Sequence, residues 1–323
     1  MPALPAVIPP RVVMDRRQFL HAGLAVVGSA ALAPAAKPEG LPVVDTHQHL
    51  WDLKRFKLPW IKAGSPLARN FVLDDYDKAT RGLNVVKTVY MEVDVDPSQQ
   101  DAEADYVIGL CKDAAKTRMY GAVISGRPAS DGFKKYVGRF KGSKYVKGLR
   151  QVLHNEGTKA GYCLEPAFVK GIRLLGEHGL SFDLCMRPGE LLDAAKLIDQ
   201  CPDTRFILDH CGNANVQAKD RSQWRKDIGE VAKRKNVVCK VSGIVASAKP
   251  GAWSAADLAP IVKHVREVFG PDRVMFGGDW PVCTLAATYA QWVAALKEIV
   301  KGSNVDEQKK LFHDNAVKFY GLA

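Results

Sequence analysis

Eight short runs of β-branched and other apolar residues recur along the chain, separated by stretches with helical spacing. The runs are Val43–Trp51, Val85–Val93, Met119–Gly126, Val146–His154, Ser181–Arg187, Arg205–Gly212, Val237–Gly243 and Val274–Pro281. Apolar residues at helical intervals mark Asp101–Lys116, Pro166–His178, Gly189–Gln200, Gln223–Lys235, Ala256–Phe269, Tyr289–Lys301 and Asp306–Phe319. Strands that alternate with helices pair in parallel through right-handed crossovers, and eight such units are the number that closes a barrel. The pattern therefore predicts an α/β chain with one (β/α)8 TIM barrel over residues 42–323. An open doubly wound sheet is the rival, but no G-x-G-x-x-G follows the first strand.

Polar residues fall at one end of these runs. His47 and His49 end the first strand, Arg150 and His154 the fourth, Arg187 the fifth, His210 the sixth, Lys240 the seventh and Asp279 the eighth. A barrel gathers all its strand C-termini on one face, where active sites sit. Buried charges are costly unless paired, so eight such residues on six strands point to a site rather than to packing.

The first residues have a different character. Residues 14–36 read MDRRQFLHAGLAVVGSAALAPAA: an arginine pair (Arg16, Arg17), a mild apolar run, then small residues with a small-x-small site at Ala33-Pro34-Ala35. This is the layout of a secretory signal, and the arginine pair before Phe19-Leu20 resembles the twin-arginine type, whose cargo is exported after folding. Residues 1–36 are accordingly set apart as a signal segment, with Met14 as an alternative start. The expected location is the periplasm, the cytoplasm being the alternative. The apolar run is too short and too rich in Gly and Ala for a membrane span.

Composition adds exclusions. With 46 Lys and Arg against 35 Asp and Glu the chain carries +11, yet the basic residues are scattered without the dense run of a phosphate-binding arm. Nucleic acid is not an expected partner; a small molecule is. No membrane association is expected beyond the signal segment, and the sequence leaves the oligomeric state open. Seven cysteines form no CxxC pair and no zinc-ribbon spacing. Several sit in apolar runs as inert buried thiols, and an enzyme folded in a reducing compartment has no need of disulfides.

The strand-end residues suggest specific chemistry. His47 and His49, two apart on a strand, share a face and can reach one divalent cation. His210 and Asp279 complete a candidate set of metal ligands. Asp45 is a candidate acceptor holding a ligand imidazole. Asp279, in FGGDWP, can take a proton from water, and Trp280 beside it is a candidate substrate contact. Lys240 either pairs with a carboxylate or meets substrate, where it would stabilise an oxyanion together with the histidines. Arg150 and Arg187 are placed to grip a carboxylate or sugar hydroxyls, or to form ordinary ion pairs. His154 is the outermost substrate candidate. The long segment Asp52–Tyr76 after the first strand is expected to shape the pocket.

The motifs DTHQHLW, GLRQVLH, FDLCMRP, ILDHCG, VCKVSG, FGGDWPVC and FHDNAVKFYG resemble the amidohydrolase-related (amidohydrolase 2) family. They are most similar to its sugar-lactonase-like branch of fuconolactonase, rhamnonolactonase and pyrone-dicarboxylate lactonase types. The resemblance runs in order from about Pro42 to the C-terminus. It implies a TIM barrel of the metal-dependent-hydrolase type, with His47, His49 and His210 as the imidazole cluster and Asp279 as general base. Many amidohydrolases bridge two metals with a carboxylated lysine on strand four. Here that strand offers Arg150, Gln151 and His154, so the expectation is one divalent ion, zinc, or none. The expected reaction is hydrolysis of a sugar lactone or carboxylated lactone by Asp-activated water. A metal-dependent decarboxylase of the same family is the alternative, and a noncatalytic binding protein the third.

Overall fold

The computed structural model describes residues 40–322; the signal-type segment read at 1–36 lies outside the described residues. Eight strands, β1 (Val43–Gln48), β2 (Val85–Met91), β3 (Met119–Ser125), β4 (Val146–Val152), β5 (Ser181–Cys185), β6 (Arg205–Leu208), β7 (Val237–Val241) and β8 (Val274–Phe276), pair in parallel in sequence order. A parallel bridge between Gln48 and Trp280 brings the last strand's continuation back to the first. Thr46 Oγ1 tightens this seam by donating to the Phe276 carbonyl at 2.6 Å. The result is a TIM barrel with helices outside, as the alternating pattern requires.

The helices follow the predicted segments with small shifts. The long segment after β2 breaks into Gln100–Lys112 and Ala114–Thr117. Pro166 opens Pro166–Glu177 at the position where its missing N–H costs nothing. Ser254 caps Ala255–Phe269 in a reciprocal capping box with Asp257. Inside the barrel, Val44, Val89, Met91, Val123 and Met275 form one apolar plug with Ala316, Tyr320 and Leu322 from the C-terminal segment. Lys87 Nζ fastens that segment by donating to the Leu322 carbonyl at 2.6 Å. The C-terminal segment lies near the strand N-termini, where Arg205 Nη1 also donates to the Phe319 carbonyl at 2.6 Å.

Several strands stop earlier than their apolar runs. β6 ends at Leu208, not Gly212, and β8 at Phe276, not Pro281. Two and three residues beyond these strands the backbone turns to positive φ, His210 at 53° and Asp279 at 52°. Neither residue is a strand residue; each stands on the turn just beyond its strand.

Candidate active site

A cavity of about 630 Å³ opens at the C-terminal end of the strands, with His49, Arg150, His154, His210 and Asp279 among its lining residues. Four of its lining residues, Asp94, His210, Asn213 and Asp279, hold non-glycine backbone at positive φ. Such conformations cost on the order of 1–3 kcal/mol each and persist where the surroundings enforce them. Around His210 the enforcement is visible. His210, Cys211, Gly212 and Asn213 form one left-handed turn, all with φ between 53° and 67°. Asn213 Nδ2 donates to the Met186 carbonyl at 2.7 Å, and Trp224 Nε1 donates to the Cys211 carbonyl at 2.9 Å. Gly243, itself at φ 65°, leaves room for the imidazole: a Cβ there would lie 2.2 Å from His210 Nδ1.

The histidines and Asp279 converge as the strand ends demand. The His47 ring centroid lies 4.9 Å from that of His49 and 4.5 Å from that of His210. Asp279 Oδ1 stands 3.3 Å from His49 Nε2 and 3.6 Å from His47 Nε2. His49 Nδ1 faces the Met91 carbonyl at 3.0 Å. A carbonyl only accepts, so Nδ1 carries the proton, and in the neutral ring Nε2 presents a lone pair to a carboxylate oxygen. Two facing lone pairs call for a cation between them, either a proton or a metal ion. The donor atoms of His47, His49 and Asp279 lie within 4.8 Å of one another, as do those of His47, Asp209 and His210. The residues thus fit a metal site, and the four sequence candidates fall into two groups that share His47.

Behind His47 lies a buried charge network. Arg150 Nε donates to Glu92 Oε1 at 2.6 Å, and its Nη2 donates to the Glu92 carbonyl at 2.8 Å. Its Nη1 stands 3.3 Å from both His47 Nε2 and Asp209 Oδ2. Arg150 is therefore a fixed cation at the cavity wall rather than a free clamp. Lys240 Nζ lies 2.5 Å from Asp183 Oδ2 and 3.3 Å from Asp209 Oδ1, fully buried beneath the cavity and absent from its lining. Burial opposes the charge on Asp209, but Lys240 and then His47 hold its carboxyl well below the usual range. Burial drives the His47 imidazole well below its ordinary value, against the pull of Asp209, and burial also lowers His210. Both rings are neutral near pH 7.

An amidohydrolase family model matches residues 44–322, nearly the whole described chain. The chain belongs to the amidohydrolase family. It is 29% identical over 301 residues to the uncharacterized protein y4mH of Sinorhizobium fredii, covering 87% of this chain and 98% of that protein. It is 28% identical to an L-fucono-1,5-lactonase of Burkholderia multivorans, covering 86% and 96%. The solved structure of a Burkholderia multivorans amidohydrolase with bound zinc aligns at TM-score 0.78 and 25% identity, over 87% of this chain and 100% of that one. As a member of this family the protein is a hydrolase with a small-molecule substrate.

Other candidates sit elsewhere in this amidohydrolase. His154 lines the outer cavity, where the enclosing walls, then His210 and Arg150, lower its pKa. Arg187 lies outside that lining and ties the loop after β4, donating to the Asn155 and Thr158 carbonyls at 3.1 and 2.9 Å and to Glu190 Oε1 at 2.8 Å. The Trp280 ring is buried edge-on against Phe71 and Tyr76 and also lies outside the cavity lining. Asp45 holds no imidazole: it accepts the backbone N–H of His47 at 3.0 Å. The segment after β1 is pinned at its base by paired hydrogen bonds between Trp51 and Phe71, and it carries Trp60 to the cavity wall. Glu92, Asp183 and Asp209 were missed as functional residues. Their one sequence signal is a carboxylate within an apolar run, a position that requires a buried cation.

Proposed function

We propose that this amidohydrolase opens a lactone ring with water activated by Asp279. The observation that carries the reading is the placement of Asp279 Oδ1 at the cavity, 3.3 Å from His49 Nε2, with neutral imidazoles and the fixed Arg150 cation around it. Relatives named as lactonases support it. Water loses a proton to the Asp279 carboxylate as its oxygen bonds the lactone carbonyl carbon. The carbonyl oxygen takes up negative charge, and the tetrahedral centre collapses with cleavage of the ring C–O bond. The proton on Asp279 passes to the departing alkoxide, leaving a hydroxy acid and a regenerated base. His210 engages Ser242 Oγ through Nδ1 at 3.0 Å. With that hydroxyl donating, Nε2 carries the proton and serves as a neutral donor to the oxyanion, while Arg150 adds fixed positive charge. A zinc ion held by His47, His49 and Asp279 would acidify water and polarise the carbonyl.

The test is a panel of L-fucono-1,5-lactone, L-rhamnono-γ-lactone and 2-pyrone-4,6-dicarboxylic acid. It is read with a pH indicator and a CO2 trap, on metal-stripped and zinc-loaded protein. Acid release without CO2 is expected. Asp279→Asn should lower kcat by about 10²–10⁴-fold with unchanged circular dichroism. A variant that turns over at the unsubstituted rate removes Asp279 as the base, and CO2 release replaces hydrolysis by decarboxylation.

A further inference from the structure

β8 is three residues long; the Gly277 N–H still donates to the Val241 carbonyl at 3.2 Å, and at Gly278 the backbone N–H turns away from the ladder before the chain reaches the site. A side chain takes over there. Asp45 Oδ1 accepts the Gly278 N–H at 2.7 Å and the His47 N–H at 3.0 Å. Its Oδ2 accepts the Tyr76 hydroxyl at 2.7 Å and the Tyr289 hydroxyl at 3.0 Å. One carboxylate, fully buried, therefore joins both sides of the barrel seam to two outer helices, Leu73–Ala79 and Tyr289–Val300. Gly278 closes onto it: a Cβ there would lie 2.3 Å from the Tyr289 ring and 2.5 Å from Asp45 Oδ2.

We infer that Asp45, Tyr76 and Tyr289 form a positioning clamp for the pair His47 and Asp279. None of the three lines the cavity, so the clamp acts only through the residues it holds. Gly278 has no side chain to restrict its backbone, and Asp279 follows it directly at φ 52°. Loss of the 2.7 Å bond frees the residue next to the reacting carboxylate, and a displacement of about 1 Å in such a group can cost on the order of a hundredfold in rate. The two hydroxyls fix the carboxylate itself. Tyr289→Phe keeps the ring against Gly278 and removes only the bond to Oδ2; Tyr76→Phe does the same from the other helix.

The inference rests on Asp279 as base, so the test is a kinetic double-mutant cycle that separates the two claims. Initial rates with L-fucono-1,5-lactone are measured for Tyr289→Phe, Tyr76→Phe and Asp279→Asn, and for each tyrosine variant combined with Asp279→Asn. Each tyrosine variant should lower kcat about tenfold with KM nearly unchanged, and should cause no further loss once Asp279 is replaced. Equal loss in both backgrounds, or full activity of the tyrosine variants while Asp279 is retained, overturns the clamp. Full activity of Asp279→Asn alone overturns the base instead. Thermal melts accompany each rate, and the second tyrosine carries the test if the first variant fails to fold.

Discussion

Glu103 shows what a single buried carboxyl does to this protein. It lies on the helix Gln100–Lys112, fully buried, and accepts the Tyr90 hydroxyl at 3.0 Å and the Val93 N–H at 2.8 Å through Oε1. Among the described residues its Oε2 has no hydrogen-bond partner. Burial, then the nearby Glu92 charge, pushes it from 4.5 up to about 8. Above pH 4.5 the unfolded chain releases this proton while the native protein keeps it. The stability it contributes is therefore full below about 4.5 and lost as pH rises through about 8. Glu103→Gln resembles the protonated form at every pH. It should raise Tm by a few degrees at pH 8 and by much less at pH 5, as differential scanning calorimetry would show. An equal shift at both values means that Glu103 is not proton-bound in the native state. At this scale the sequence was readable where chemistry and position coincide: His47, His49, His210 and Asp279 stand out because they end apolar runs. Trp280 and Arg187 occupy equivalent positions, yet their side chains serve packing and a loop. Chain position fixes the height of a residue in the barrel, whereas side-chain direction depends on local φ, ψ that the run does not encode.

Among elements, the left-handed turn His210–Asn213 has the most consequence for function. An apolar run such as RFILDHCG reads as continuous strand, because nothing in residue type announces four successive residues at positive φ. Left-handed backbone costs roughly 1–2 kcal/mol per L-residue, and the turn survives through its bonds to Met186 and Trp224. Gly243 on the neighbouring turn is the matching half. Gly243→Ala would impose both a disfavoured φ of 65° and a Cβ 2.2 Å from His210 Nδ1. Gly251 separates the two costs, since it sits at φ 68° and, among the described residues, nothing lies within 4 Å of an added Cβ. Both alanine variants should lose Tm by several degrees. Only Gly243→Ala should lose kcat, by about a hundredfold, through displacement of His210. Equal kcat in the two variants would show that His210 tolerates displacement and has no part in turnover.

Across the molecule, barrel closure accounts for what the sequence showed and what it hid. Alternation of eight apolar runs with helices was enough for the architecture, because closure follows from strand number and parallel pairing. The ion pairs of Arg150 with Glu92 and of Lys240 with Asp183 link residues 58 and 57 positions apart, and no local pattern pairs them. The seven cysteines carry the last argument. All are buried and free, and Cys185 reaches the cavity wall. In an oxidising compartment, an unfolded chain with seven thiols would form non-native disulfides, whereas the folded barrel keeps them apart and covered. We propose that the Arg16–Arg17 segment exports this enzyme already folded. Mass spectrometry of alkylated periplasmic protein should then find all seven thiols reduced, and replacing both arginines with lysine should leave the protein in the cytoplasm. Rerouted through a signal that threads unfolded chains, the same enzyme should arrive oxidised and largely inactive. Undisturbed export of the lysine pair, or disulfides in the natively exported protein, would remove the case for export after folding.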